Sequence, residues 1–382
     1  MTNRVQLNQP ASRRLPEIEV LRGLAVAGVI VHHSYGNLLP TTNQPLTRFM
    51  HTLDYGTGVD LFFAISGFVI ARTLLPAITA SRTRRDFTTT ACVFWIRRAW
   101  RLLPSAWLWL ALCLAASAWF NRAGLFGDVA TNAWAGLAGA LDFANIRLAL
   151  VFGHSFYGTS FAWWSLSLEE QFYLLLPPAA FLLRRRLPLV LMALVVLQFP
   201  LRPHTLWPIL FRNQAILLGV LLACWQPHPS FRRAGEWLAR WPAPARWFPA
   251  ACLILALGAL GVAGPAPRCM IGLIALTSAA LVYLAAQDTG LILQAGAARR
   301  VMLWLGARSY ALYLIHIPAF FAAREICFRL RAPGNELAAA FLGLALLLIA
   351  AELNWRLLEN PLRRRGARIA QRYAAKQASA SI

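Results

Sequence analysis

AWAGLAGALDFANIRLALVF, residues 133–152, decides how this chain is threaded. Twenty residues of this kind are long enough to cross a bilayer. The stretch nevertheless carries Asp142, Asn145 and Arg147. Working outward from it, apolar runs of spanning length fall near 17–38, 57–77, 100–121, 164–183, 187–201, 209–226, 247–264, 270–289, 303–323 and 337–358. If 133–152 stays out of the count, Arg82, Arg84 and Arg85, Arg184 to Arg186, Arg232, Arg233 and Arg240, Arg299 and Arg300, and the tail from Arg363 onward share one side. If it spans, every cluster after it flips to the other side, against the positive-inside rule. The reading is therefore an all-α integral membrane protein of about ten transmembrane helices with both termini cytoplasmic. Residues 122–163 become an extracytoplasmic or re-entrant loop.

Composition leads to the same class. Of the 382 residues, 58% are hydrophobic and only 14% charged, with a mean hydropathy of +0.53. A soluble domain carries nearer 25% charge. A disordered chain, a fibrous repeat and a disulfide scaffold are excluded as well. The net charge of +22 does not point to nucleic acid, because the arginines sit in short clusters between apolar runs instead of along one polar face. The six cysteines have no metal-ligand spacing, and only Cys269 and Cys327 are placed to meet on an oxidising side. No metal site is expected. The first apolar run carries Glu17, Glu19 and Arg22 and is not a cleavable leader. The organisation read from this is a cytoplasmic segment 1–16, one membrane domain 17–362, and a basic, disordered cytoplasmic tail 363–382.

Ionisable groups inside such helices are costly and mark candidate sites. Arg22 and His33 are 11 residues apart, three turns plus about 20°, so they share a face at ~16 Å separation. His32 points about 100° away from that face. Asp60 stands at the outer end of the second run, either as a dipole-favoured cap or as a functional acid. Arg97, Arg98 and Arg101, read as the start of a helix, suit a phosphate group. Glu169 and Glu170 enter a span with no basic partner nearby in sequence, and such carboxylates need partners in the bundle. His316 lies in the outer half of the ninth run, and Glu359 returns an acid to the inner boundary. The candidates form two layers. His33, Asp60, Glu169 and His316 are outer bases and their orienters; Arg22, Arg97, Arg98, Arg101, Arg308 and Glu359 face the cytoplasm and suit a polyanionic ligand.

These blocks together resemble the acyltransferase-3 family of bacterial integral-membrane O-acyltransferases. The matching stretches are Arg22-Gly-Leu-Ala with His33, Gly58 to Phe68, Arg97-Arg98-x-x-Arg101-x-x-Pro104, Trp164 to Tyr173, Ser309-Tyr310 through His316-x-Pro318, and Glu359-x-Pro361-x-Arg363. Six blocks in family order are specific where one would be weak. The resemblance implies transfer of an acyl group, usually acetyl, from cytoplasmic acyl-CoA to a hydroxyl of an extracytoplasmic glycan or lipid-linked saccharide. It implies acyl-CoA (acetyl-CoA) as co-substrate with no permanently bound cofactor, and residence as a multi-pass protein of the bacterial cytoplasmic (inner) membrane. It gives His33 the place of the helix-one histidine, Arg98 and Arg101 that of the Arg-x-x-Arg pair, and Glu359 that of the last acid. Which of Asp60, Glu169 and His316 works with His33 stays open at this stage. The alternative is a proton-coupled transporter of a small solute or glycan precursor, built on the same buried histidines and acids.

Overall fold

The computed structural model describes residues 15–39, 44–151, 154–200, 212–242, 245–262, 269–332 and 334–379. Helices account for its regular structure, and no strand is formed among these residues. The expected cytoplasmic segment 1–16 falls outside them except for Leu15 and Pro16, and so do residues 209–211 of the sixth apolar run. In chain order the helices are α1 (Pro16–Asn37), α2 (Gln44–Thr52), α3 (Gly58–Ala80), α4 (Arg84–Trp119), α5 (Val129–Ala140), α6 (Ala144–Val151), α7 (Trp163–Leu183), α8 (Leu187–Gln198), α9 (Gln214–Trp225) and α10 (Ser230–Ala239). They continue as α11 (Phe248–Gly261), α12 (Met270–Ala286), α13 (Ala297–Ala307), α14 (Ser309–Arg329), α15 (Glu336–Asn354) and α16 (Asn360–Ser379). Among the described residues, four helical stretches are long and apolar enough to cross a membrane: Tyr55–Ala80, Arg84–Trp119, Ser309–Arg329 and Glu336–Ser379. The helices α9, α11 and α12 are apolar but shorter.

The segment 133–152 is not one helix. It divides into α5 and α6 at Asp142, whose φ of 58° is left-handed and ends an α-helix in an L-residue chain. Gln171 of α7 clamps the break, its Nε2 donating to the Asp142 carbonyl at 2.7 Å and to Asn145 Oδ1 at 2.9 Å. Arg147 donates to the Tyr157 carbonyl at 2.6 Å. The three polar residues that interrupt the run are thus fixed inside a folded loop.

Close backbone approach builds the bundle around α3. A methyl at Gly67 would stand 2.0 Å from the Ile216 carbonyl of α9, and one at Gly219 would stand 2.2 Å from the Ala64 carbonyl of α3. Each helix thus offers the other a glycine, the small-residue contact that lets apolar helices touch without a solvent-driven force. Phe63, Ile65 and Phe68 of α3 are buried in the resulting core.

Three expectations are corrected. The arginines of the third run do not open a helix, because α4 starts at a Thr83–Asp86 capping box and Arg97 is already more than three turns inside it. The ninth run is split at Arg308 between α13 and α14. That arginine is held by both Nε and Nη2 on Glu352 and lies over the rings of Trp304 and Trp355, so it is committed to the fold instead of to an anion. The tail is not disordered through 379. It forms α16, whose Gly366, Ala370 and Ala374 are buried, and Arg85 of α4 donates to the Gln377 carbonyl. All six cysteines are free, Cys269 and Cys327 included.

Candidate active site

Five helices meet at a cleft of about 70 Å³. From α4, Arg98, Arg101 and Leu102 share one face at spacings of three and four and line it. From α7 come Ser165, Glu169 and Tyr173, each four residues apart; α14 supplies Ser309, Tyr310 and Tyr313, α3 supplies Phe62, Phe63 and Ser66, and α1 supplies Arg22. Tyr310 pins α14 to α4, its hydroxyl donating to the Leu102 carbonyl at 2.7 Å.

One end of the cleft is basic. Arg22 has Glu19 at 3.2 Å as a partner on its own helix. Arg98 lies over the ring of Tyr173, 5.1 Å from its centre, while the Tyr173 hydroxyl donates to Glu169. The Nε of Arg101 is buried without a hydrogen-bond partner, and so is Oε2 of Glu359. Buried polar atoms are nearly always paired, so an unpaired guanidinium nitrogen on a cleft wall leaves a donor for a ligand. Glu359 sits in a π turn, Trp355–Glu359, a local departure from the α-helix that recurs at functional sites. The charges acting on it most strongly are those of Arg101 and Arg363. Glu359 does not itself line the cleft.

The other end leads to a histidine pair. Tyr313 lines the cleft with its side chain, and its backbone carbonyl is 2.6 Å from His316 Nδ1. Nε2 of His316 is 2.9 Å from His33 Nδ1, with the two rings stacked at 4.9 Å. Pro318 has no N–H for the Leu314 carbonyl, a gap that loosens the helix at this point. The Ser165 and Tyr313 hydroxyls are 2.6 Å apart. Phe161 meets the His33 ring edge-on at 5.4 Å.

Of the residues expected from sequence, Arg22, Arg98, Arg101 and Glu169 line one cleft, and His33 meets His316 next to it. Asp60 does not join them. It is 1% exposed and accepts two hydrogen bonds from Arg212, at 2.9 Å from Nε and 2.5 Å from Nη2. Arg97 is exposed and lies outside the cleft, since one residue along a helix turns it about 100° from Arg98. His32 belongs to a separate pair with Asp54, its Nδ1 2.6 Å from Oδ1. Sequence reasoning missed Arg212 and Asp54 as partners, and it gave Tyr313 no role. The Tyr313-x-x-His316 spacing, one helical turn, was the available signal for the last.

A model of the acyltransferase domain matches residues 15–352, a range that includes both the arginine end and the histidine pair. The chain belongs to the acyltransferase-3 family. Relatives within it include the peptidoglycan O-acetyltransferase OatA of Listeria monocytogenes, 26% identical over 92% of this chain and 56% of that protein. The O-acetyltransferase OatA of Staphylococcus aureus is 25% identical over 93% of this chain and 58% of its own length. The chain therefore spans little more than half the length of these acyltransferase-3 relatives. No solved structure matches it.

Proposed function

We propose that this acyltransferase moves an acyl group, in the first instance acetyl, from cytoplasmic acyl-CoA to a hydroxyl of an extracytoplasmic glycan or lipid-linked saccharide. One observation carries the reading: a cleft with Arg98 and Arg101 on its wall runs to Tyr313, and the Tyr313 carbonyl holds the His316–His33 pair. Arginine forks are suited to the diphosphate and phosphate of the donor. A histidine is suited to the acceptor hydroxyl. His33 takes the hydroxyl proton as the oxygen attacks the acyl carbonyl carbon; the carbon–sulfur bond breaks, and the proton passes on to the departing thiolate. The Ser309 hydroxyl, on the cleft lining, is suited to hydrogen bonding to the charge that develops on the carbonyl oxygen, while the Tyr310 hydroxyl is engaged by the Leu102 carbonyl.

The proposed setting is the bacterial inner membrane, crossed about ten times with both termini in the cytoplasm, so that the arginine end opens inward and the histidine end outward. The peptidoglycan named for the Listeria relative supports a glycan acceptor. Family membership favours transfer over the transporter alternative. Membranes holding the protein, supplied with acetyl-labelled acetyl-CoA from the cytoplasmic face, should pass label to alkali-labile esters on glycan outside. Label that stays in acetyl-CoA across a panel of glycan and lipid-linked acceptors would sink the proposal.

A further inference from the structure

Neutral histidine carries one N–H and one bare nitrogen, and which is which follows from the partners. The Tyr313 carbonyl can only accept, so the His316 nitrogen facing it at 2.6 Å, Nδ1, carries the hydrogen. His316 is fully buried and no carboxylate is bonded to it among the described residues, so the neutral ring fills this place and its Nε2 is bare. The nitrogen 2.9 Å away, His33 Nδ1, must then donate. His33 is left with a bare Nε2, and no described residue bonds to that atom.

The groups that commonly orient a catalytic histidine are engaged elsewhere. Asp60 is held by Arg212, Asp54 by His32, and Glu169 receives the Tyr173 hydroxyl. We propose that His316 is the positioning residue for His33: through the chain Tyr313 carbonyl, His316, His33, it fixes His33 as the Nδ1–H tautomer and keeps Nε2 bare to receive the acceptor's proton. This rests on the acyl-transfer reading above and adds to it the identity and tautomer of the orienter. An uncharged imidazole takes the position that a carboxylate holds in serine hydrolases. It brings no buried charge into the bundle, where an unpaired carboxylate would be costly. When His33 gains the second proton, its Nδ1–H still points at the His316 lone pair, so the cation is stabilised without proton transfer to His316. The reverse arrangement, with His316 doubly protonated, would make His33 Nδ1 an acceptor and put the hydrogen on Nε2, closing the base.

The test compares two replacements of His316 beside His33→Ala. His316→Phe keeps a ring but removes the acceptor; His316→Gln offers an amide oxygen to His33 Nδ1–H. Initial rates with acetyl-CoA and a glycan acceptor should show kcat down about 100-fold in His316→Phe with both KM values unchanged. His316→Gln should recover at least tenfold of that loss. Equal kcat in the Phe and Gln variants, or a wild-type kcat in Phe, would overturn the positioning role. An active His33→Ala would instead overturn the underlying choice of base, so the two failures are distinguishable. Nitrogen-15 NMR of histidine-labelled wild-type protein in lipid decides the matter even where a variant does not fold. His33 should show a protonated Nδ1 and a bare Nε2, and the opposite tautomer would refute the inference.

Discussion

Arg212 grips Asp60 with two nitrogens of one guanidinium, across 152 positions of sequence. Asp60 sits in the first turn of α3, and Arg212 lies just before α9, so the pair joins the two helices that also share Gly67 and Gly219. Replacing Asp60 by Asn or Arg212 by Gln strands one charge in a mostly buried position, at a cost of roughly 3 kcal/mol. The double replacement should be less damaging than the two single losses summed. Thermal unfolding midpoints in detergent for the four proteins give the coupling, and strictly additive losses would show that the pair is not one unit.

At the basic end, Arg98→Ala and Arg101→Ala should each raise the apparent KM for acyl-CoA. Losing a charge-assisted phosphate contact is worth roughly 1.5–3 kcal/mol. Lysine should restore part of this at either position, since it supplies the charge without the planar fork. Arg97→Ala, one residue away but exposed, should leave KM near the parent value. A larger effect at Arg97 than at Arg98 would mean that the donor lies on the outer surface of α4 and not in the cleft.

The two adjacent histidines separate by partner. His33→Ala should cut transfer by about 10²–10⁴-fold, the usual contribution of a general base, with protein abundance in the membrane unchanged. His32→Ala removes instead the tie from α1 to Asp54, which also accepts from the Gly56 N–H at 2.9 Å. Its effect should be a modest loss of thermal stability with kcat largely kept. An inactive His32 variant beside an active His33 variant would reverse the assignment.

Burial pushes the Asp142 carboxyl up from its ordinary value of 3.8 to about 6. Because the folded protein holds this proton more tightly than the unfolded chain, the residue's contribution to stability is present in full below about pH 4. It is lost as pH rises through 6. Asp142→Asn keeps an uncharged side chain and tolerates the left-handed backbone, so its unfolding midpoint should fall less than that of the parent between pH 4 and 7. Parallel profiles for the two proteins would remove Asp142 as the source of the slope.

Helix positions were legible because an apolar run of bilayer length is unstable in water and helical in lipid, and the ends of α3, α7 and α12 lie within a few residues of the runs. The interruption at Asp142 was legible from its own polarity and from Asn145 and Arg147. Long-range pairing was not. Nothing local joins His33 to a histidine 283 positions away, or Asp60 to Arg212; those pairings exist only once the helices pack. The start of α4 was set too late because a span search rewards hydropathy, while the capping box at Thr83 and Asp86 is a polar signal. In the tail, Gly366, Ala370 and Ala374 repeat every four residues, a packing stripe of small side chains that composition alone reads as low complexity.

A 36-residue α4 is a rod of about 54 Å. Along its first half it is gripped by α16: Gly366 lies so near that a methyl there would stand 2.3 Å from Trp100 Cβ, and Arg365 covers the Trp100 ring. Trp100 is the residue before Arg101. A pull or push on α16 is therefore delivered at the wall of the cleft, one peptide bond from the residue with the unpaired guanidinium nitrogen. Anything joined to α16, a fused reporter or a docked partner, takes hold of α4 at Trp100, next to Arg101.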